Sequence, residues 1–314
     1  MDYLTLESVL CYRVDMRHCR RLLRQGSRSF YAASLLLPAY YRSPATSLYA
    51  FCRVADDAID EGDQPIDVAL ADLNERLDRI YAGRPISDPV DRELTNVVQR
   101  FDVPDTLPRA LLEGFQWDHD GRRYETLSDL YGYAARVAGT VGVMMAVLMG
   151  VRSQNALARA CDLGVAMQLT NVARDVGQDA RAGRLYLPQS WLREAGIDPQ
   201  AWLTDPQFSP ELGELVRRLL KAADHLYDRS AEGIAQLPRR CRPGIFAARS
   251  IYRDIGHELA RVGLDSVSQR TVVSTRRKAR LLGEALWTAA RPRTATDVPP
   301  LEETRFLVDA AVRS

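Results

Sequence analysis

Apolar residues recur at intervals of three and four along almost the whole chain, and the strict alternation that is typical of strands is scarce. This pattern predicts an all-α protein. Breaks that contain proline or glycine separate the periodic stretches. The predicted helices lie near residues 14–26, 44–62, 66–82, 91–101, 105–120, 126–150, 153–179, 210–236, 242–263 and 268–290.

No break between these helices is long or low in complexity, and no repeat of fixed period is evident. We therefore predict a single all-α domain over residues 1–291. The remaining segment, 292–314, combines Pro299 and Pro300 with mixed charge, and it is predicted to be a loosely docked tail.

Two of the predicted helices carry a stripe of polar residues on a largely apolar sequence. On the first, an advance of about 100° per residue places Arg53, Asp56 and Asp60 within an arc of roughly 60°, with Asp57 at its edge. The second stripe covers about 80° and consists of Gln168, Asn171, Asp175 and Asp179.

Such stripes have two interpretations. Asp and Arg at helical spacing commonly mark a solvated face. The segments that precede the clusters, 45–55 and 161–170, are mainly apolar, which favours the wall of a cavity instead. Carboxylates in such a wall are costly unless they bind cations or pair with bases. Mg²⁺ is bound through carboxylates together with substrate phosphates, and Arg53 and Arg174 could add bidentate phosphate contacts.

Several segments resemble the squalene and phytoene synthase family. Residues 49–61 (YAFCRVADDAIDE) and 168–188 (QLTNVARDVGQDARAGRLYLP) are similar to the two signatures of the family, and the wording of the second is nearest to the bacterial phytoene synthases. Residues 26–30, Tyr133 with 137–142, Tyr252, Arg270 and 276–278 extend the resemblance over roughly residues 15–290. One departure is Gln178, where many relatives carry an acidic residue.

The resemblance implies an isoprenoid-synthase helical fold around a central hydrophobic cavity, and it assigns roles to residues. The implied metal ligands, for Mg²⁺ or Mn²⁺, are Asp56, Asp57, Asp60, Asn171, Asp175 and Asp179. The implied catalytic residues are Asp56, Asp60, Asp175, Asp179 and Tyr133. Substrate contacts are expected from Ser27, Arg28, Ser29, Phe30, Arg53, Val137, Val141, Gln168, Asn171, Arg174, Tyr252 and Arg270.

The implied reaction joins two molecules of geranylgeranyl diphosphate through prephytoene diphosphate to phytoene, the first committed step of carotenoid biosynthesis, without NADPH. One alternative is a squalene or dehydrosqualene synthase that uses farnesyl diphosphate; squalene formation also needs NADPH, and the chain has no Gly-x-Gly-x-x-Gly fingerprint, although family members bind NADPH without one. Another is a non-catalytic helical scaffold that binds a prenyl lipid. The small side chains Ala32, Ala33 and Ser34 are compatible with the longer substrate.

The apolar run 137–151 is shorter than the roughly 20 residues that span a bilayer, so a core helix is predicted. Its small residues allow two interpretations, close helix packing or room for a hydrocarbon, and the resemblance favours the second. They are Ala138, Gly139, Thr140, Gly142 and Ala146.

Composition narrows the setting of the protein. The 314 residues carry a net charge of +1, which gives no general drive toward nucleic acid. The basic cluster 276–278 is interpreted as a solvated face unless it lies over a diphosphate. Five scattered cysteines and four histidines without ligand spacing argue against a disulfide framework or a zinc site. With no secretory signal evident, we predict a cytoplasmic protein with transient contact to the inner membrane surface and, as potential partners, downstream carotenoid enzymes.

Overall fold

The computed structural model describes residues 6–60, 64–289 and 298–313, with side chains from residue 11 onward. No strand occurs in these ranges. The α-helices are α1 (Leu6–Gly26), α2 (Arg28–Ser34), α3 (Ala39–Asp60), α4 (Ile66–Tyr81), α5 (Pro89–Phe101), α6 (Thr106–His119), α7 (Leu127–Ala134), α8 (Thr140–Leu148), α9 (Gln154–Arg181), α10 (Gln189–Glu194), α11 (Pro199–Thr204), α12 (Pro210–Ile234), α13 (Arg242–Arg261), α14 (Thr275–Ala289) and α15 (Arg305–Val312).

The all-α prediction is confirmed, and the differences from the predicted helices have local causes. Short helices such as α2, α10 and α11 span too few residues to show a helical period. The last long helix begins at Thr275 rather than near 268. Residues 271–274 alternate between buried and exposed side chains, as extended backbone does, with Val273 buried and Val272 70% exposed. Residues 61–63 and 290, at the ends of two predicted helices, lie outside the described residues.

Helix α9 runs through the centre of the molecule and separates two apolar cores. One core is formed mainly by residues of α9, α12 and α13, and the other mainly by residues of α3, α5, α6 and α8. Of the 28 residues of α9, 17 are buried, so this helix meets other elements on nearly all of its faces. The second aspartate stripe therefore sits on a rigid central element.

A π turn at Ala135–Gly139 connects α7 to α8 in one continuous helical run. Leu127–Leu148 is long and apolar enough, by length and composition, to cross a membrane, and it is the one such helix in the described part of the chain. More than half of its most apolar stretch is buried inside the protein, which is the environment of a core helix. The extra residue of the π turn changes which side chains face inward beyond it.

The π turn and α8 pack backbone against backbone with α9 at two glycines. A side-chain carbon at Gly142 would lie 2.2 Å from the carbonyl oxygen of Ala160, and one at Gly164 would lie 2.2 Å from the carbonyl oxygen of Ala138. Both distances are far below van der Waals contact, so only glycine fits. Gly142 also lines the cavity described below, so close packing and space for a ligand occur in the same helix pair.

The described part of the tail is packed, in contrast to the loose docking that the sequence suggests. Leu307, Val308 and Ala311 of α15 are at most 1% exposed. Arg159 on α9 donates to the carbonyl oxygens of Val298 and Pro299 at 3.1 and 3.3 Å. The tail is held because Leu307, Val308 and Ala311 pack inward and because a buried arginine binds its backbone, neither of which its mixed composition indicates. The boundary at 291 and 292 lies outside the described residues, and the domain division stays a prediction.

Candidate active site

A predominantly apolar cavity of about 300 Å³ lies between α2, α3, α8, α9, α12 and α13. Its walls include the expected contacts Phe30, Val137, Val141, Gln168, Asn171 and Tyr252. The small side chains Ala33 and Ser34 also line it, whereas Ala32 does not. Space for a hydrocarbon therefore exists next to the polar stripe of α9.

The first aspartate stripe leaves the cavity wall at Cys52 and continues along the last turns of α3. Arg53 holds Asp56 at 3.2 Å and Asp57 at 2.5 Å. Arg184, which follows the second cluster in the sequence, reaches across to Asp60 at 2.6 Å. This ion pair brings the two aspartate clusters together at one end of the cavity. We call this end, with Asp56, Asp57, Asp60, Asp175 and Asp179, the mouth.

The second stripe lies on α9 and combines unequal carboxylates. Asp175 accepts hydrogen bonds from Arg174 at 2.8 Å and from Arg270 at 2.7 Å. Burial disfavours its charge, but these two arginines outweigh burial and lower the pKa of Asp175. Asp179 behaves differently: burial first, then the charge of Asp175, raises its pKa to about 7 against a smaller opposing effect of Arg184.

Asp118, at the end of α6, belongs to the mouth, although no pattern in the sequence predicts this. Its two carboxylate oxygens accept hydrogen bonds from Tyr133 and Tyr186, each at 2.6 Å. Burial raises its pKa to about 6 against the effect of these tyrosines. The carboxylates of Asp60 and Asp118 repel each other. Tyr133, which the resemblance implies is catalytic, therefore orients a sixth aspartate in this structure, and the short Asp118-His-Asp120 segment shows no helical spacing that would have signalled it.

The mouth carries more negative charge than its arginines neutralise. Burial first, then repulsion from Asp60, raises the pKa of Asp56 to about 6, even with Arg53 in contact. Asp118 also raises the pKa of both Asp56 and Asp179. Carboxylates from α3, α6 and α9 are thus close enough to disfavour one another's ionisation, which is the condition that a bound cation relieves.

These oxygen donors suit a hard divalent cation, although they do not converge as a finished cage. In the described residues no group of three or more His, Cys, Asp or Glu side chains is arranged to hold a metal by itself. Mg²⁺ typically keeps several waters and shares one or two carboxylates with substrate phosphates, so a preformed all-protein cage is not required. Gln178 is exposed, and the acidic side chain that many relatives carry would lie outside the mouth.

Helix α2 covers the cavity beside the second cluster. Ser27 caps the helix by accepting from the backbone N–H of Phe30 at 3.2 Å. The ring of Phe30 packs 5.1 Å from that of Tyr252 and 6.1 Å from that of Tyr49. Arg28 lies near Lys278, whose pKa burial and this neighbouring cation lower. The remaining expected contact in this segment, Ser29, is half-buried on the same helix.

The 276–278 cluster does not act as one unit. Arg277 forms a bidentate pair with Asp254, with its shortest contact at 2.7 Å, while Arg276 is exposed. Lys278, beside Arg28, is therefore the member that lies nearest to the expected substrate segment.

An all-α fold that encloses an apolar cavity under an aspartate- and arginine-lined mouth is the architecture of the helical isoprenoid synthases. Comparison with known proteins agrees. The family model described as "Squalene/phytoene synthase" matches residues 23–278, and the chain belongs to this family.

Relatives within the family are similar over nearly their full length. The chain is 53% identical to phytoene synthase of Rhodobacter capsulatus, over 95% of this chain and 90% of the relative, and 50% identical to phytoene synthase of Cereibacter sphaeroides, over 96% and 88%. A crystal structure of a dehydrosqualene synthase with a ligand superposes with a TM-score of 0.79 at 33% identity, over 87% of this chain and 96% of that one.

Proposed function

We propose that this protein joins two molecules of geranylgeranyl diphosphate head to head, through prephytoene diphosphate, to give phytoene and diphosphate. The observation that carries the proposal is that an apolar cavity lies directly beneath the mouth. The mouth combines carboxylates that repel one another with arginines that pair with some of them. The names and identities of the bacterial relatives support the same reaction.

The mouth is suited to release a diphosphate. Divalent cations supply charge neutralisation for a departing diphosphate when they are bound, and Asp56, Asp60, Asp175 and Asp179 are the residues that would hold them. The pKa of Asp179 is raised, so a bound cation would stabilise its charged form. The pKa of Asp175 is lowered, so its charged form is already stabilised by neighbouring arginines.

The cavity is suited to the cation that remains after diphosphate leaves. Its walls are apolar side chains, with the rings of Phe30, Tyr49 and Tyr252 next to the mouth, where an aromatic face stabilises positive charge. Exclusion of water protects an allylic cation from hydrolysis. Because phytoene formation ends in loss of a proton rather than addition of a hydride, no NADPH is required.

A second candidate is condensation of farnesyl diphosphate, since the structural neighbours include a dehydrosqualene synthase. The side chains of Ala33, Ser34 and Thr46 in the cavity wall are small, which favours the longer substrate. The relatives at 53% and 50% identity are both named phytoene synthase, which also favours the longer substrate.

The test is incubation of purified protein with Mg²⁺ and either diphosphate, with and without NADPH, followed by mass analysis of the hydrocarbon. We expect a C40 product from geranylgeranyl diphosphate without NADPH. A C30 product alone would replace the substrate assignment and keep the mechanism. No hydrocarbon under any condition, with a diphosphate that still binds, would favour the non-catalytic scaffold.

A further inference from the structure

Two turns meet over the end of the cavity that lies farthest from the aspartates. Residues 34–41 lead from α2 into α3, and residues 237–242 lead from α12 into α13. A side-chain carbon at Gly244 would lie 2.8 Å from Leu37, so the first turn of α13 presses against this end of α2. Both Leu37 and Gly244 line the cavity. From Asn171 to Ala156, which also line it, α9 extends for about 22 Å at 1.5 Å per residue.

The outer surface of these turns exposes apolar side chains. Leu35 is 50% exposed and Tyr40 is 54% exposed. The turn that carries Leu35 is firmly built, because Arg42 donates to the carbonyl oxygens of Leu35 and Leu37 at 2.9 and 2.7 Å. The exposure of Leu35 therefore belongs to a fixed backbone and is not the result of a frayed helix end.

Exposed arginines lie in or beside the same turns. The guanidinium of Arg100 stacks 4.4 Å above the ring of Tyr40, and Arg239 and Arg240 are exposed in the second turn. Segments 34–41, 99–102 and 237–242 contain a single acidic residue, Asp102. We call Leu35, Tyr40, Arg100, Arg239 and Arg240 the distal rim.

We propose that the distal rim docks on the surface of an anionic lipid bilayer. Leu35 and Tyr40 enter the interfacial region while the arginines contact headgroup phosphates, an arrangement that combines apolar burial with electrostatic attraction. The carboxylate mouth, at the other end of the cavity, then faces the aqueous phase. This orientation would bring the hydrocarbon product close to the bilayer, an advantage that rests on the proposed function. Docking itself is a property of the surface and needs no substrate.

The experiment is co-sedimentation of the protein, without substrate, with vesicles of phosphatidylcholine or of phosphatidylcholine mixed with phosphatidylglycerol. We expect partitioning onto the mixed vesicles that falls as salt is raised. Arg239→Gln with Arg240→Gln should lower the partition coefficient by about thirty-fold, since each basic residue near an anionic surface adds a factor of roughly five. The matched control, Arg217→Gln with Lys221→Gln on α12, removes the same charge elsewhere and should change it less than three-fold.

A second pair of variants tests the apolar part. Leu35→Ser should lower partitioning by roughly five-fold, whereas Val262→Ser, which removes an apolar side chain of similar exposure (48%) at the end of α13, should not. Equal losses in the rim and control variants, or no vesicle binding by the unaltered protein, would overturn the proposal. Turnover in detergent reports separately on the proposed function, because the rim residues lie outside the mouth and every rim variant should keep it.

Discussion

The carboxylates of the mouth differ in how well the protein supports their charge, and this difference sets how pH acts on the protein. Asp175 is stabilised as an anion by two arginines, while the pKa values of Asp56, Asp118 and Asp179 are raised to about 6, 6 and 7. The free protein therefore retains protons on these groups that an unfolded chain would release above pH 4.

The sign of the pH effect follows from the raised pKa of Asp179. The folded state binds more protons than the unfolded state between about pH 4 and 7. The contribution of Asp179 to the free energy of unfolding is therefore most favourable below pH 4, and it is lost as pH rises through about 7. We expect Asp179→Asn to raise the free energy of unfolding of the metal-free protein by about 1–2 kcal/mol at pH 8 and to have little effect at pH 4.5. Urea denaturation at both values checks this.

The same substitution should abolish turnover, which separates a stabilising change from a functional one. Asp88→Asn serves as the control, because that carboxylate caps α5 away from the mouth and its loss should not reproduce the pH-dependent gain. A lower stability of Asp179→Asn at pH 8 would contradict the electrostatic account.

Asp118 gives a second prediction at this scale. Asp118→Asn keeps the shape of the side chain but removes a charge that two tyrosines orient, and we expect a loss of 10²-fold or more in kcat/KM with a native circular dichroism spectrum. Tyr133→Phe removes one of the two hydrogen bonds and should lose less, about ten-fold. If Asp118→Asn had normal kcat/KM at every Mg²⁺ concentration, the assignment of this residue to the mouth's chemistry would be wrong.

At the scale of helices, the contact between α8 and α9 leaves no room for a side-chain carbon at Gly142. Gly142→Ala would drive a methyl group into the carbonyl oxygen of Ala160, and we expect a loss of about 2–3 kcal/mol of stability. Gly132→Ala on α7 is the matched control: nothing lies within 4 Å of the added carbon, so the higher helix propensity of alanine should stabilise by about 0.5–1 kcal/mol. Thermal unfolding of both variants distinguishes a clash from a general effect of glycine replacement.

The buried ion cluster between α9 and α12 supports the tail. Asp162 pairs with Arg159 at 2.7 Å and with Arg229 at 3.0 Å, and it is fully buried. Asp162→Asn leaves two arginines with no carboxylate between them, and we expect a loss of about 3–5 kcal/mol. Hydrogen exchange should show faster exchange in α15, whose preceding segment these arginines hold. Unchanged exchange in α15 would show that the apolar face of that helix alone fixes the tail.

The sequence predicted the elements whose signals are local and repeated. Long amphipathic helices and the two aspartate stripes follow from helical spacing, and Phe30, Val137, Val141 and Tyr252, which the resemblance names as substrate contacts, line the cavity. Neither helical spacing nor the resemblance predicted that Tyr133 would bind Asp118 or that Arg184 would bridge to Asp60. Such pairings depend on which helices meet, and nothing in the spacing along either helix encodes them.

For the molecule as a whole, the depth of the cavity decides the length of prenyl chain that it accepts. Ser34 lines the wall on α2, and Ser34→Phe should fill space that the longer chain needs. We expect the ratio of C40 to C30 hydrocarbon, measured with both diphosphates present, to fall at least ten-fold. Leu35→Phe, one residue further along but pointing outward, should leave the ratio unchanged. A constant ratio in both variants would mean that another wall sets the length.

The glycine contacts of α8 and α9 also bear on how such a cavity can change during evolution. Because those two backbones already touch, neither helix can move toward the other, and an enlarged residue at the contact destabilises the protein rather than reshaping the cavity. Variation in substrate length is therefore expected mainly at the other walls, α2, α3, α12 and α13. A lineage that shifts between prenyl substrates should record the shift in those four helices while the glycine pair stays fixed.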